Sequence, residues 1–499
     1  MNNKLRRKVT GSNNEVTEFT QKERYRDELT NQMLLMAKIL GTTIDKYQLL
    51  DDSYRASGGF EDGQYLIPHP SEGVPKYKRR QRMGYYVNYV KPIVDALVNP
   101  IFKTDPVRSG TTDLYNRFIE NVDGNDTTLT RFMKKAGIRA KLHGVEFIVM
   151  DMKELSEDEV ITQDRIIEER IYPYLYLVSP SQISDFALDK FGKLILISYT
   201  VNNYVIDNDG NKKSVEETWT WTATKCKRKI GGIEESFINP IGEIPIVPLY
   251  GAINNVSDSI LVQSDVFAIA KTGFALYQAC SELRERNSAQ AFSVLTYPIG
   301  DDDDYEESAE KLNVGTADML MYRASNGNRP EFITPPPDSS DMLLNEIEFM
   351  VKEIYRMASL RMSTDKNTYN VSAIARKIEN QQYYQSIAEL AQGLEEVEKK
   401  LYKIFNLYMG DNSEGFSISY NREYAVASPE DTLNQATTSL ALGMTSEYNK
   451  EMRKQVARAV FADIGVDTLN DILDSIEKDP KSGAAQEDTK ATIVQPTRN

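Results

Sequence analysis

The densest group of side chains that could do chemistry in this sequence is a run of four aspartates, Asp301 to Asp304. Paired carboxylates hold the two metal ions of many nucleases and polymerases, so the run raises the hypothesis of a metal-dependent nuclease. Neighbouring side chains point to opposite faces of a strand and fan around a helix, however, and four in a row do not converge on one ion in either element. Glu306, Glu307 and Glu310 follow closely. A solvated acidic tip is therefore the favoured interpretation, and the nuclease remains the less favoured one.

Histidine and cysteine chemistry is limited by numbers, because the chain has only two residues of each type. His69 lies between two prolines and His143 precedes a glycine, so a structural role is favoured for both. Cys226 and Cys280 have neither a CxxC spacing nor the paired spacing of zinc ligands. The sequence therefore predicts no catalytic residue, no bound metal and no cofactor.

Two loops resemble ligand-binding motifs but depart from them at the residues that matter. Gly192-Lys193 is followed by Leu194, where a phosphate-binding loop needs Ser or Thr for the magnesium ion. The acidic segment Asp207 to Gly210 is similar to the start of a calcium loop, yet Lys212 stands where that loop requires glycine. A hairpin turn between two strands is the favoured interpretation of this second segment.

The composition is that of a folded, acidic protein. Its 499 residues suggest about three domains, and 59 Lys and Arg against 74 Asp and Glu give a formal charge of −15. Because affinity for duplex DNA comes mainly from Lys and Arg, a general DNA-binding role is not favoured. No apolar run approaches the roughly 20 residues that cross a bilayer, and the basic N-terminus lacks the apolar stretch of a signal peptide. We therefore expect synthesis in the cytoplasm and no membrane partner.

Hydrophobic spacing indicates a flexible N-terminus over 1–20 and an α/β region over 21–250. Apolar residues recur at helical spacing in the segments 22–50, 86–97 and 111–143. Strands are predicted at Val145–Met150, Tyr174–Val178, Leu194–Val201 and Thr218–Thr222. Three prolines in the segment Asn239 to Pro248 exclude a helix there and predict an extended connector.

Two helices of comparable length are predicted on either side of a small lobe. The first lies within 251–287 with Ser257 as its N-cap, and the second spans 341–361. The lobe, 288–340, contains two short strand candidates and ends near three consecutive prolines. These candidates are Phe292–Tyr297 and Met319–Tyr322.

A loop over 362–371, rich in turn-forming residues, leads into a long helix over 371–408. Four residues of this helix are expected to form a charged, solvent-facing side: Glu395, Glu396, Lys399 and Lys400. A coiled coil is less favoured, because the apolar stripe does not keep strict heptads. A strand, Phe416–Tyr420, completes the segment 372–427, and Ser428-Pro429 opens a helical region over 428–477. Residues 478–499 are expected to be disordered.

The order of these elements resembles the portal, or head-to-tail connector, proteins of tailed bacteriophages. The likeness covers most of residues 20–475, and its specificity lies in the order and spacing of several short sequences. These are Tyr85-Tyr86-Val87-Asn88-Tyr89 leading to Pro100-Ile101-Phe102-Lys103, His143-Gly144 before a strand ending in Asp151, Tyr172-Pro173-Tyr174 leading to Ser179-Pro180, and Gly242-Glu243-Ile244-Pro245.

The resemblance implies an α+β, helix-rich fold with an α/β wing, a two-helix stem, an inserted clip lobe, a tunnel loop, a long helix and a C-terminal helical crown. It implies a homo-oligomeric ring of about twelve copies at one capsid vertex of a virion, made in the host cytoplasm. The ring would be a channel for packaging and ejection of the genome, without enzymatic activity. Its implied partners are viral double-stranded DNA held non-specifically, the terminase large subunit, a head-tail adaptor and the major capsid protein.

The resemblance also assigns residues. The tunnel loop facing the DNA would include Ser363, Thr364, Asp365, Lys366, Asn367 and Thr368, with a packed helical turn as the alternative for this segment. The clip surface that docks the motor and the adaptor would include Asp301, Asp302, Asp303 and Asp304. Another virion protein, such as a minor head protein, is the second interpretation. It would share the acidic composition but not the two-helix stem around a lobe.

Overall fold

The computed structural model describes residues 44–69, 72–152, 170–206, 212–252, 259–290, 294–299, 319–323, 329–333, 338–360, 381–411, 415–422, 424, 445–460 and 466–478. The fold is α+β and helix-rich, as the sequence predicts. The chain divides into two compact units between Arg422 and Glu423.

Short helices with well-defined N-caps begin the first unit. Helices α1 to α5 are Lys46–Arg55, Val74–Met83, Val90–Val98, Asp113–Glu120 and Leu129–His143, with 3-10 turns at Gly58–Phe60 and Asn99–Phe102. The side chains of Asp45, Thr112 and Thr128 accept backbone N–H groups in the first turns of α1, α4 and α5. The single helical stretch predicted over 111–143 is two helices, because the intervening turn places Gly124 and Asp126 at positive φ.

The described part of the first unit contains nine strands before its long helices. Strands β1 to β9 are Val107–Ser109, Val145–Asp151, Tyr174–Val178, Ile183–Leu188, Leu194–Ile206, Lys212–Thr222, Lys225–Ile230, Ile233–Ile238 and Ile246–Tyr250. Strand β2 confirms the strand predicted at Val145–Met150 and is the centre of an antiparallel sheet of order β3-β2-β9. The predicted connector ends in strand β9, where Pro248 lies opposite Phe147. Proline fits there because β9 is an edge strand.

Strands β4 to β8 form a five-stranded antiparallel meander in chain order. The pairing of Ile206 with Lys212 confirms that the chain reverses as a hairpin, although Asp207 to Gly210 lie outside the described residues. One apolar cluster joins the two sheets, with Val145, Phe147 and Val149 from β2 packed among residues of β5 and β6, namely Ile197, Tyr199 and Trp221. This cluster fixes the meander on the central sheet.

A small sheet lies between two helices in the sequence, as predicted. Helix α6 is Val266–Gln290 and helix α7 is Asp338–Met357, and the two pack along each other. Between them come β10 (Val294–Ile299), β11 (Met319–Arg323) and β12 (Glu331–Ile333), in the order β11-β10-β12. Strand β10 pairs parallel with β11 and antiparallel with β12.

The start of α6 differs from the prediction, which placed its N-cap at Ser257. Residues 259–265 are not helical, and the helix begins at Val266. Ser264 takes the capping role because its hydroxyl accepts the Val266 N–H at 3.0 Å and donates to the Lys141 carbonyl at 2.8 Å. The chain before α6 is thus held against the end of α5.

The described residues end with one long helix, a short strand and a helix pair. Helix α8 is Gln381–Met409 and packs on β9, while β13 (Ser417–Ser419) pairs with β1. The second unit contains α9 (Ser446–Val460) and α10 (Val466–Lys478), which pack together through contacts that include Lys454 with Glu477. Among the residues described, no helix is long and apolar enough to span a membrane.

Candidate functional site

Helix α7 carries apolar residues on two of its sides. Leu343, Ile347, Met350 and Ile354 recur at helical spacing on α7, and Met350 and Ile354 are buried. Met342 and Phe349 lie outside this stripe, seven residues apart and therefore on a shared side of the helix, and are 71% and 63% exposed. Helix α7 therefore has one apolar side covered within the chain and a second that is open.

An aromatic cluster fixes helix α6 to the N-terminal part of the first unit. Tyr277 is almost fully buried, its ring contacts Phe60 edge to face, and its hydroxyl donates to the Phe60 carbonyl at 3.3 Å. Gln278, the next residue of α6, makes two further contacts. Its side chain donates to the Tyr65 carbonyl at 2.7 Å and accepts the Ile67 N–H at 3.0 Å. These contacts fix the middle of α6 to the segment 60–67, which connects α1 and α2.

A buried lysine, Lys141, contacts three parts of the chain that are distant in sequence. The Lys141 ammonium, on the last turn of α5, lies 3.2 Å from the Gly251 carbonyl, 3.2 Å from the Asp265 carboxylate and 3.3 Å from the Ser386 hydroxyl. Its side chain is only 4% exposed. The start of α6 and the body of α8 are thus held to α5 by one cation.

The other side of the same helical turn carries a buried histidine. His143 Nε2 lies 3.1 Å from Asp51 and Nδ1 lies 3.3 Å from Glu146, which also pairs with Arg139 at 2.8 Å. Burial alone lowers the pKa of His143, but hydrogen bonds to the two carboxylates outweigh it and the pKa is raised. Burial raises the pKa of Glu146, whereas the hydrogen bond with His143 leaves the pKa of Asp51 lowered. Both ring nitrogens are engaged with carboxylates, an arrangement that fits the favoured structural role.

A second buried charge network corrects one sequence expectation. Glu395 was expected on the charged, solvent-facing side of the long helix, but it is buried and accepts from the Tyr420 N–H at 3.0 Å. Its neighbour Glu398 is fully buried, pairs with Arg108 and accepts from the Tyr420 hydroxyl at 2.8 Å. The expectation was wrong because the cations and donors that allow burial lie on distant segments, β1 and the chain after β13.

The residues assigned from the resemblance lie outside the described residues. This applies to the clip aspartates Asp301 to Asp304 and to the loop residues Ser363 to Thr368. Within the part of the chain that is described, no group of three or more His, Cys, Asp or Glu side chains could hold a metal ion.

Comparison with known proteins gives likeness at the level of structure. No family model matches the sequence, and no curated protein matches it. The chain is similar to a solved structure described as "Virion of native gene transfer agent (GTA) particle", with 12% identity, a TM-score of 0.41, and coverage of 85% of this chain and 98% of that one. It is also similar to "Neck of empty GTA particle computed with C6 symmetry", with 11% identity, a TM-score of 0.41, and coverage of 83% and 93%.

Proposed function

We propose that the protein is a portal-type component of a virion, whose copies assemble into a closed ring that conducts double-stranded DNA. The observation that carries this proposal is the order and packing of the described elements. A small sheet is inserted between α6 and α7, this helix pair is rooted in an α/β wing, and the long helix α8 follows. The same order underlies the sequence resemblance to portal proteins.

The open side of α7 supports assembly into a ring. Met342 and Phe349 expose large apolar side chains on a helix whose other apolar side is already packed on α6. Two large apolar side chains exposed on one side of a helix favour contact with a partner, although Asn345 and Glu346 lie between them. In a ring, the α6–α7 pair of each copy would cover the open side of the next, which is a heterologous contact that closes by rotation.

The net negative charge of the chain is better suited to a channel through which DNA slides than to a site that binds DNA tightly. About twelve copies with a charge of −15 each would carry roughly −180 in total, which discourages DNA from adhering to most surfaces it meets. Contacts with DNA would then be limited to a few positions, for which the loop Ser363 to Thr368 is the candidate.

The resemblance to portal proteins also implies specific partners and docking residues, and we propose these for this protein. The protein would have no catalytic activity and no cofactor of its own. Its partners would be the terminase large subunit during packaging, a head-tail adaptor afterwards and the major capsid protein at the vertex. The clip aspartates Asp301 to Asp304 would contribute to docking of the motor and the adaptor.

Negative-stain imaging combined with mass photometry tests the proposal on the full-length chain. We expect closed rings with a central hole, at a mass that is a whole multiple of 56.7 kDa. A monodisperse species of 56.7 kDa over a wide range of protein and salt concentration would overturn it. Compact oligomers without a hole would favour a minor head protein. Metal-dependent cleavage of DNA that is lost on changing Asp301 to Asp304 would favour the nuclease.

A further inference from the structure

An open groove of about 1230 Å³ lies in the wing, between helix α5 and the edges of both sheets. It is larger than the roughly 300–1,000 Å³ typical of small-molecule sites. Helix α5 supplies one wall, and strands β3, β5, β6 and β7 supply the other. All residues that line the groove belong to one chain and to its first unit.

The side of the groove formed by α5 is cationic. Arg131, Lys134 and Lys135 lie three and four residues apart, hence on one side of α5, and all three line the groove. None of them forms an ion pair with a carboxylate of the described chain, whereas Arg139, on the same wall, pairs with Glu146. The chain has a net charge of −15, whereas these three cations, which have no carboxylate partner among the described residues, make this side of the groove locally positive.

The carboxylates of the groove are already engaged by other groups. Asp51 contacts His143, and Glu217 pairs with Arg228 and accepts from Asn203. Asp151 accepts the Met152 N–H at 2.8 Å, and Asp123 accepts the Asn125 N–H at 2.9 Å. None of these four carboxylates forms an ion pair with Arg131, Lys134 or Lys135, so the side of the groove formed by α5 keeps its positive charge.

The sheet wall is aromatic. Tyr174 and Tyr176 stack with ring centroids 6.0 Å apart, and Tyr174 is 38% exposed. Trp219 stacks on Trp221 and lies beneath the Arg228 guanidinium at 5.3 Å. The groove thus offers flat apolar surface opposite a line of positive charge.

We propose that this groove binds an extended acidic peptide segment of a partner protein, with carboxylates facing α5 and aromatic or apolar side chains facing the sheet. An extended chain points successive side chains to opposite faces, so alternating residues satisfy both walls at once. A nucleic acid strand fits less well, because every nucleotide carries a phosphate and Asp151 and Glu217 lie beside the aromatic wall.

Fluorescence anisotropy with a labelled octapeptide of alternating glutamate and phenylalanine tests the proposal on the full-length protein. We expect saturable binding that weakens as salt is raised and falls about tenfold or more in the variant Arg131→Glu/Lys135→Glu. The matched control is Lys76→Glu/Lys78→Glu, which makes the same change in net charge on exposed positions of α2 and should leave the affinity within about twofold.

Intrinsic tryptophan fluorescence tests whether the bound peptide lies in the groove. The chain has two tryptophans, of which Trp221 is buried and Trp219 lines the groove. Peptide binding should shift the intrinsic emission, and Trp219→Phe should remove the shift while the peptide still binds. Equal affinity in the Arg131→Glu/Lys135→Glu variant and the wild type would overturn the proposal. So would tighter binding of an oligothymidylate octamer than of the peptide, or no detectable binding of the peptide.

Discussion

The ammonium of Lys141 lies 3.2 Å from the carboxylate of Asp265, although 124 residues separate them in the sequence. The lysine is buried and the aspartate is 65% exposed, so the contact reaches from the interior of the wing to the residue just before α6. Because the same ammonium contacts Gly251 and Ser386, it links the segments that must move together if the helix pair tilts.

Replacing this lysine should therefore destabilise the first unit. Lys141→Met keeps most of the side-chain volume but leaves the Gly251 carbonyl unpaired, and we expect a loss of about 1–3 kcal/mol in unfolding free energy. Urea unfolding followed by circular dichroism measures it. Lys135→Met, an exposed change on the same helix, should cost no more than about 0.5 kcal/mol. Equal stability of Lys141→Met and wild type would contradict the structural role of the ammonium.

The His143 cluster predicts a pH dependence of stability. The folded-state pKa of His143 is raised above its ordinary 6.5, so the folded state binds the proton more tightly than the unfolded state does. The resulting stabilisation is fully present below pH 6.5 and is lost as pH rises through the folded pKa. The midpoint temperature of unfolding should thus fall across this window in the wild type. His143→Gln should be less stable but show a flatter profile, and parallel profiles would show that another group is responsible.

The open side of α7 should be required for ring closure. Met342→Glu/Phe349→Glu places two charges on that side and should convert rings to smaller species, because burying an unpaired carboxylate is costly. Tyr204→Glu/Ile206→Glu is the matched control, since both side chains are exposed large hydrophobics at the end of β5. Mass photometry of the wild type and the two variants measures whether each protein forms rings or smaller species. Intact rings in the α7 variant would remove this surface from the interface.

Neutralising the clip aspartates should weaken docking of the motor. With Asp301 to Asp304 all changed to Asn, we expect intact rings and weaker binding of the terminase large subunit in a pull-down with purified proteins. Changing Glu306, Glu307 and Glu310 to Gln gives a comparison of similar charge. If both variants bind the terminase as the wild type does, the acidic run is a solvated tip without a docking role.

The loop assigned to the channel should affect DNA rather than assembly. Deleting Thr364 to Thr368 should leave rings unchanged and lower the amount of DNA packaged or retained in particles. Lys366→Ala alone should have a smaller effect, because a single exposed charge in salt contributes about 1 kcal/mol or less. Loss of rings in the deletion variant, without a separate DNA defect, would show that the segment is structural.

Apolar periodicity predicted the long elements but not the short, charged ones. Helices α6, α7 and α8 and strand β2 carry enough regularly spaced apolar residues to be identified. Strands β7 and β8 were missed because Lys225–Ile230 and Ile233–Ile238 are rich in Lys and Glu and have few inward-facing apolar residues. Strand β12 has only three residues, too few for a pattern.

The burial of charged side chains could not be predicted from the neighbouring sequence either. Glu395 was predicted on a solvated helix face, but the chain after β13 brings the Tyr420 N–H and the Arg422 guanidinium beside it and covers it. The cationic wall of the groove was missed for a similar reason. Arg131, Lys134 and Lys135 are ordinary surface residues on a helix, and only the packing of the meander opposite α5 makes them one wall of a cavity.

The pairing of the small lobe sets how it responds to mechanical load. Strand β10 starts four residues after α6 ends, and β12 pairs Ile333 with Val294, five residues before α7 begins. The start of β10, the central strand, and the end of β12, its neighbour at the edge, therefore lie at the same end of the sheet. A force that splays the helices apart peels β12 from β10 one hydrogen-bonded pair at a time, beginning at Val294 and Ile333.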